Sequence, residues 1–207
     1  MIKALFLIFS PIPAWERIVR AQRSFAFVLT IYLLPMLILA GAAEGYGLVR
    51  LGKWQRDMEF LKKFPIGDVV VYEVGKLLLN LGIVLLAAKI IKSLGETFHG
   101  RHTYTQTFTA VAYGISPLFL LRLMDAFPVN PWISWSIGIL LSMGVLYQGV
   151  PRLMQPDPPH AFGLYLVSAL LLVIITGLAR FVTAWYLQGR FTGVESVIHN
   201  LGTRLPI

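Results

Sequence analysis

Apolar and polar residues are segregated along this chain: long apolar runs alternate with short stretches that hold most of the charges. Crossing about 30 Å of hydrocarbon at about 1.5 Å per helical residue takes roughly 20 mostly apolar residues. Five runs meet that need, at 25–43, 69–91, 104–123, 132–150 and 162–186. The first carries no charge, and its Pro35 removes one helix hydrogen bond, which predicts a bend. The second contains Glu73, Lys76 and Asn80 and closes on Lys89 and Lys92. The third is interrupted by Gly114 and Pro117 and ends with Arg122 and Asp125, one helical turn apart. A fifth helix that continues past Ala179 carries Arg180 toward the interface, where its long stem is expected to snorkel.

The pattern predicts an all-α polytopic membrane helix bundle with five transmembrane helices plus short interfacial amphipathic helices. The membrane domain is expected at 25–187, after an N-terminal interfacial segment at 1–24 and before a C-terminal amphipathic tail at 188–207. In the first segment Trp15, Ile18 and Val19 share one helical face while Glu16, Arg20 and Arg23 share another. Between the first two runs Leu51, Trp54, Met58 and Leu61 recur at helical spacing among basic residues, which predicts a helix lying on the opposite surface. In the tail, Thr192 and Glu195 form a capping box, Val194, Val197, Ile198 and Leu201 form an apolar stripe, and Gly202 can end the helix. That stripe needs a surface to bury it, either the membrane or a partner subunit, and is a candidate partner contact.

Composition agrees with a membrane protein: 57% of residues are hydrophobic and 14% charged, and the formal net charge is +8. Because the basic residues sit between the spans, they argue for topology and against nucleic-acid binding. Lys3, Arg17, Arg20 and Arg23 precede the first span, while Arg50 and Lys53 follow it. Counted over all loops the two sides nearly balance, so the first helix decides, and the N-terminus is expected in the cytoplasm. The opening residues have a short apolar run followed by Pro11 and Pro13 without a small-x-small pattern, so a cleaved signal is not expected.

With no cysteine, thiolate catalysis and cysteine metal sites are excluded, and the four histidines lie outside the spans without a carboxylate set beside them. No zinc-protease, nucleophile-elbow or phosphate-loop motif occurs. No catalytic residue, cofactor or metal is assigned. The candidate site is instead the intramembrane polar face of Glu73, Lys76 and Asn80, which share one side of the second span. Charges in hydrocarbon cost roughly 3 kcal/mol or more at the bilayer centre, so this face reads either as a functional surface or as an ion pair near the interface. Small residues at every fourth position, Ser134, Gly138 and Ser142 in span four and Ala110 with Gly114 in span three, predict close helix packing.

Three blocks resemble the Ypt-interacting-protein (YIP) domain family. The segment 10–24, which holds Trp15, leads into Tyr32–Pro35 and is similar to the family's entry segment and first span. The segment 100–121, with Tyr113, Gly114 and Pro117, looks like its third-span pattern. The segment 146–167 resembles the bacterial signature through Gly149, Pro151, Met154, Pro156, Ala161 and Tyr165. The resemblance implies a five-span bundle with a cytoplasmic N-terminus and no established reaction. Eukaryotic members carry an acidic-Leu-Tyr-Gly-Pro motif and a longer cytosolic N-terminus linked to small GTPases. This sequence has neither, so GTPase binding is not carried over.

Gly149 and Pro151 are expected to end span four, because proline donates no helix hydrogen bond and disfavours helix at the residue before it. The leading expectation is a non-enzymatic protein of the bacterial cytoplasmic membrane, an accessory or scaffold subunit or a membrane-organising factor. Its expected partners are the lipid bilayer and other membrane-protein subunits. The alternative is a small transporter or channel component using the charged face of span two, although the five spans show no repeat.

Overall fold

The computed structural model describes residues 2–55, 60–98, 100 and 102–187. Five helical spans, Phe25–Arg50, Ile66–Thr97, Tyr104–Ala126, Pro131–Met154 and Pro158–Leu187, are long and apolar enough to cross a membrane, and the protein is an all-α integral membrane bundle. The spans reach past the apolar runs because a charge does not end helical hydrogen bonding. A cap or a missing N–H does. Span two begins after Pro65 and runs 32 residues, about 48 Å, so it projects beyond the hydrocarbon or tilts within it.

The chain enters through two short helices, α1 (Ile2–Phe9) and α2 (Pro11–Ala21). Their apolar faces meet protein: α1 packs on spans three and four, and α2 packs on span four. Span one opens with a short turn, α3 (Phe25–Phe27), widens into a π-helical segment at Val28–Leu33 and continues as α4 (Leu34–Arg50). The widened turn comes just before Pro35, whose ring would otherwise press on the carbonyl one turn back. Spans two, four and five are built on α5 (Ile66–Thr97), α8 (Pro131–Met154) and α9 (Ala161–Leu187).

Span three is the centre of the bundle. It breaks into α6 (Tyr104–Gly114), α7 (Ser116–Leu121) and a 3-10 turn at Arg122–Ala126. Its most apolar window is 78% buried, against 28–44% for the others. Spans one, two and four pack on it, and span five packs on spans two and four. Pro117 cannot donate to Tyr113, and the Ser116 hydroxyl donates to that carbonyl instead at 2.6 Å. The Leu118 amide donates to Ser142 Oγ of span four at 3.3 Å. Along the same stripe, a side chain at Gly138 would run into Leu118, and Ser134 donates to Asp125 at 2.6 Å. The small residues of span four therefore let it close over the break.

The connection between spans one and two corrects the expected surface helix. Gly52, at φ 84°, turns the chain out of span one, and its amide donates to the Gly47 carbonyl at 2.8 Å. Strands β1 (Lys53–Gln55) and β2 (Phe60–Lys62) then pair antiparallel, with Trp54 opposite Leu61. The helical spacing of Trp54 and Leu61 is real in the sequence, but cross-strand pairing brings the same residues together. Span four is also longer than expected. It continues through Pro151 to Met154 and stops at Gln155, which takes the left-handed conformation at φ 44°. A proline in the last turn forfeits a single bond, too little to end the helix before its cap.

Candidate functional site

At the end of the bundle opposite the α2 C-terminus, every span sends a polar side chain inward. Glu44 of span one is the hub, 1% exposed. Lys76 Nζ of span two donates to it at 2.5 Å and Arg122 of span three at 3.2 Å, while Lys53 of β1 stands 4.0 Å away. A second pair lies beside the first. Arg180 of span five donates to Asp125 Oδ2 at 2.7 Å, and Ser134 of span four donates to Oδ1 of the same carboxylate. Arg180 also reaches the Pro131 carbonyl at 2.8 Å, and Lys53 reaches the Asp125 carbonyl at 3.4 Å.

Gly47 makes this convergence possible. A side chain there would collide with the Ala126 carbonyl, so spans one and three touch backbone to backbone one turn beyond Glu44. Glu44 lies six residues before the end of its helix and Arg180 seven, which places the cluster about 10 Å inside those helix ends. There, burial makes each charge costly to leave alone, and opposite charges together with hydrogen bonds offset the cost. Four cations, Lys53, Lys76, Arg122 and Arg180, share this region with three carboxylates, Glu44, Glu73 and Asp125.

The predicted polar face is split by this arrangement. Lys76 belongs to the cluster and also donates to the Tyr72 hydroxyl at 3.1 Å. Asn80 donates to the Lys76 carbonyl of its own helix at 2.6 Å. Glu73 does not complete an ion pair with Lys76: both its carboxylate oxygens are buried without a hydrogen-bond partner, beside Gly41 of span one. Arg122 and Asp125, one helical turn apart, each bond to a different span. Arg180, expected to snorkel, is 7% exposed and turned inward. It has a buried acid within reach, which outbids solvent for an arginine that would otherwise climb to the interface. A cavity of about 30 Å³ remains between Lys76, Asn80, Arg122, Trp135, Thr176 and Arg180. Among the described residues no three His, Asp or Glu side chains form a metal set.

Most residues of the sequence motifs gather toward the other end, and Pro117 marks the break between the two. Trp15 is fully buried, donates its indole N–H to the Val145 carbonyl at 2.9 Å, and lies where any side chain at Gly149 would be. It meets Tyr113 edge to face at 6.3 Å, and Tyr113 stacks on Tyr32 at 4.0 Å. Gly114 makes room for Leu146, Pro117 is buried at the start of α7, and the end of Met154 closes on Gly95. Pro156 lies in the turn before α9, which Ala161 begins, and Tyr165 meets Tyr147 edge to face at 5.2 Å.

A shared pattern that joins the entry helices, the broken third span and the end of span four is a property of a whole fold. The family model of the Yip1 domain matches residues 5–181. The chain belongs to the Yip1 domain family. The matched stretch takes in α1 at one end and Arg180 at the other, so both the aromatic centre and the ion cluster lie within the Yip1 domain. Neither curated proteins nor solved structures give a match to the chain.

Sequence reasoning missed Glu44, Lys53 and Asp125 as members of this cluster. A signal was present: Lys76, Arg122 and Arg180 are all cations near the same end of the bundle, and Glu44 and Asp125 are among the acids near that end. The tail residues Val194, Val197, Ile198 and Leu201 lie outside the described residues, as does His99.

Proposed function

We propose that this Yip1 domain protein is a non-enzymatic accessory or scaffold subunit of the bacterial cytoplasmic membrane, with a cytoplasmic N-terminus, that acts by packing against other membrane proteins. The observation that carries this reading is that each of the five spans sends inward a polar side chain that bonds to another span, with Glu44 and Asp125 as hubs. Groups committed in this way hold spans together. Apolar residues such as Val70, Val71, Val74 and Leu78 cover the outward face of span two, ready for lipid or a neighbouring helix. The tail stripe of Val194, Val197, Ile198 and Leu201 is the proposed partner contact.

Purification from native membrane in mild detergent, with identification of every co-purifying chain, tests the proposal. A stoichiometric set of partners that is lost when residues 193–207 are deleted, while the spans stay inserted, is the expected result. Recovery of the protein alone, from membranes in which it is abundant, would refute it.

One observation favours a second reading as a transporter component: the unpartnered carboxylate of Glu73 near a cavity lined by Lys76 and Asn80. That cavity, of about 30 Å³, holds about one water molecule. Flux of a solute into reconstituted vesicles that disappears in Glu73→Gln with folding unchanged would make this the better reading.

A further inference from the structure

Two cavities flank α2 at the end of the bundle that carries the motif residues. One, of about 310 Å³, has the more polar lining of the two and lies between α2, the start of α6 and the end of α8. Arg23, Arg152, Gln22, Gln155, Thr105 and Gln106 supply its polar groups. The other, of about 260 Å³, is mainly apolar and is lined by Phe6, Ala14, Ala21 and Tyr113, with Arg17 at its edge. Ile18 and Arg23 line both, so the two are neighbours across one turn of α2. Each approaches the scale of a small-molecule site, roughly 300–1,000 Å³.

Charge and shape agree on one kind of occupant. The two linings contribute three arginines and no acidic residue. Arg152 is held by Gln148, with bonds of 2.6 Å to the side-chain oxygen and 2.7 Å to the carbonyl, and Arg23 rests over the Phe27 ring at 4.7 Å. Those contacts fix the stems and leave guanidinium donors for an anion. Gln22 and Gln155 are the two non-glycine residues with positive φ among the described residues, and both line the first cavity. Each ends a helix where glycine would be unstrained.

We propose that the paired cavities bind an anionic glycerophospholipid, with its phosphate between Arg23 and Arg152 and an acyl chain in the apolar cavity against Phe6, Ala14 and Tyr113. The first cavity lies at the ends of α2 and α8 and the start of α6, and the apolar cavity runs inward toward Tyr113, which follows Tyr104 by nine residues, about 14 Å into span three. An amphiphile is therefore the ligand whose two parts match both linings.

Native mass spectrometry of the full chain in detergent, with dioleoyl phosphatidylglycerol and dioleoyl phosphatidylcholine added at equal concentration, tests this. Retention of the phosphatidylglycerol at least tenfold above the phosphatidylcholine is expected. Arg23→Gln with Arg152→Gln should reduce that preference at least fivefold, whereas Arg20→Gln, an exposed arginine paired with Glu16, should leave it unchanged. Arg23 is exposed, so Arg23→Gln alone keeps the test valid if the Arg152 variant fails to fold. Ala14→Trp, which fills the apolar cavity, should weaken lipid retention while leaving helix content intact. Equal retention of the two lipids, or an equal effect of Arg20→Gln, overturns the proposal. Full displacement of the lipid by millimolar glycerol phosphate would show that a free phosphate ester is the ligand, and it overturns the assignment of the apolar cavity.

Discussion

The two ends of this bundle are held by different physics. At one end Trp15, Tyr113, Tyr32 and Gly149 fit by shape, and the indole N–H on the Val145 carbonyl adds a polar link. At the other, Glu44 and Asp125 gather cations from four separate elements, and there the fit is one of charge. Shape complementarity tolerates small errors because neighbouring side chains can relax. A buried carboxylate tolerates none, because removing one partner strands the others without water. The charged end should therefore respond to single substitutions far more steeply than the aromatic end.

The largest effect expected is that of Glu44→Gln, which leaves Lys53, Lys76 and Arg122 without their shared anion. Removing one partner of a buried ion pair costs about 3–5 kcal/mol, and the variant should show a strongly lowered thermal midpoint in detergent or fail to accumulate. Wild-type stability in this variant would mean that water reaches the cluster. Next comes Gly149→Ala at the other end, where the new methyl group meets the Trp15 ring and overpacking costs about 1–3 kcal/mol. Combining it with Trp15→Leu should restore part of the loss. Additive losses in the pair would show that the two do not touch.

Smaller still is Ser116→Ala, which removes the hydroxyl that stands in for the missing proline N–H. A loss of about 1 kcal/mol is expected from one hydrogen bond, measured as a modest fall in the midpoint without change in helix content. The smallest effect should be Glu73→Gln, which removes a charge with no hydrogen-bond partner, so stability should stay level or rise slightly. Lys76→Ala, one turn along the same helix, should instead resemble Glu44→Gln. If Glu73→Gln and Lys76→Ala fall together, the two residues form the pair that the sequence suggested, and the contrast between the two ends weakens.

How much of this was legible in the chain differs between the two ends. Trp15, Tyr113 and Gly149 stand out in the sequence as motif positions, although nothing in their spacing says that they touch. The charged cluster was half legible. Lys76 and Arg122 stand out because cations interrupt apolar runs, whereas Glu44 follows the run that ends at Ala43 and carries no such mark. The region around Trp54 and Leu61 misled, since residues seven apart suit a helix face and also suit the two arms of a hairpin.

The sequence by itself determined the number of spans, their order and the break in span three, because apolar run length and proline chemistry act locally and each run must satisfy its own backbone in lipid. Tertiary structure decided which charges are partners. Glu44 and Arg122 are 78 residues apart, and Asp125 and Arg180 are 55 apart. No periodicity along one helix encodes such pairs. Their meeting depends on Gly47 bringing spans one and three into backbone contact and on spans four and five closing around Asp125. Whether a cation in a membrane helix points to lipid headgroups or to a buried acid is settled by where that acid lies in space. For Arg180 the acid lies on a different span.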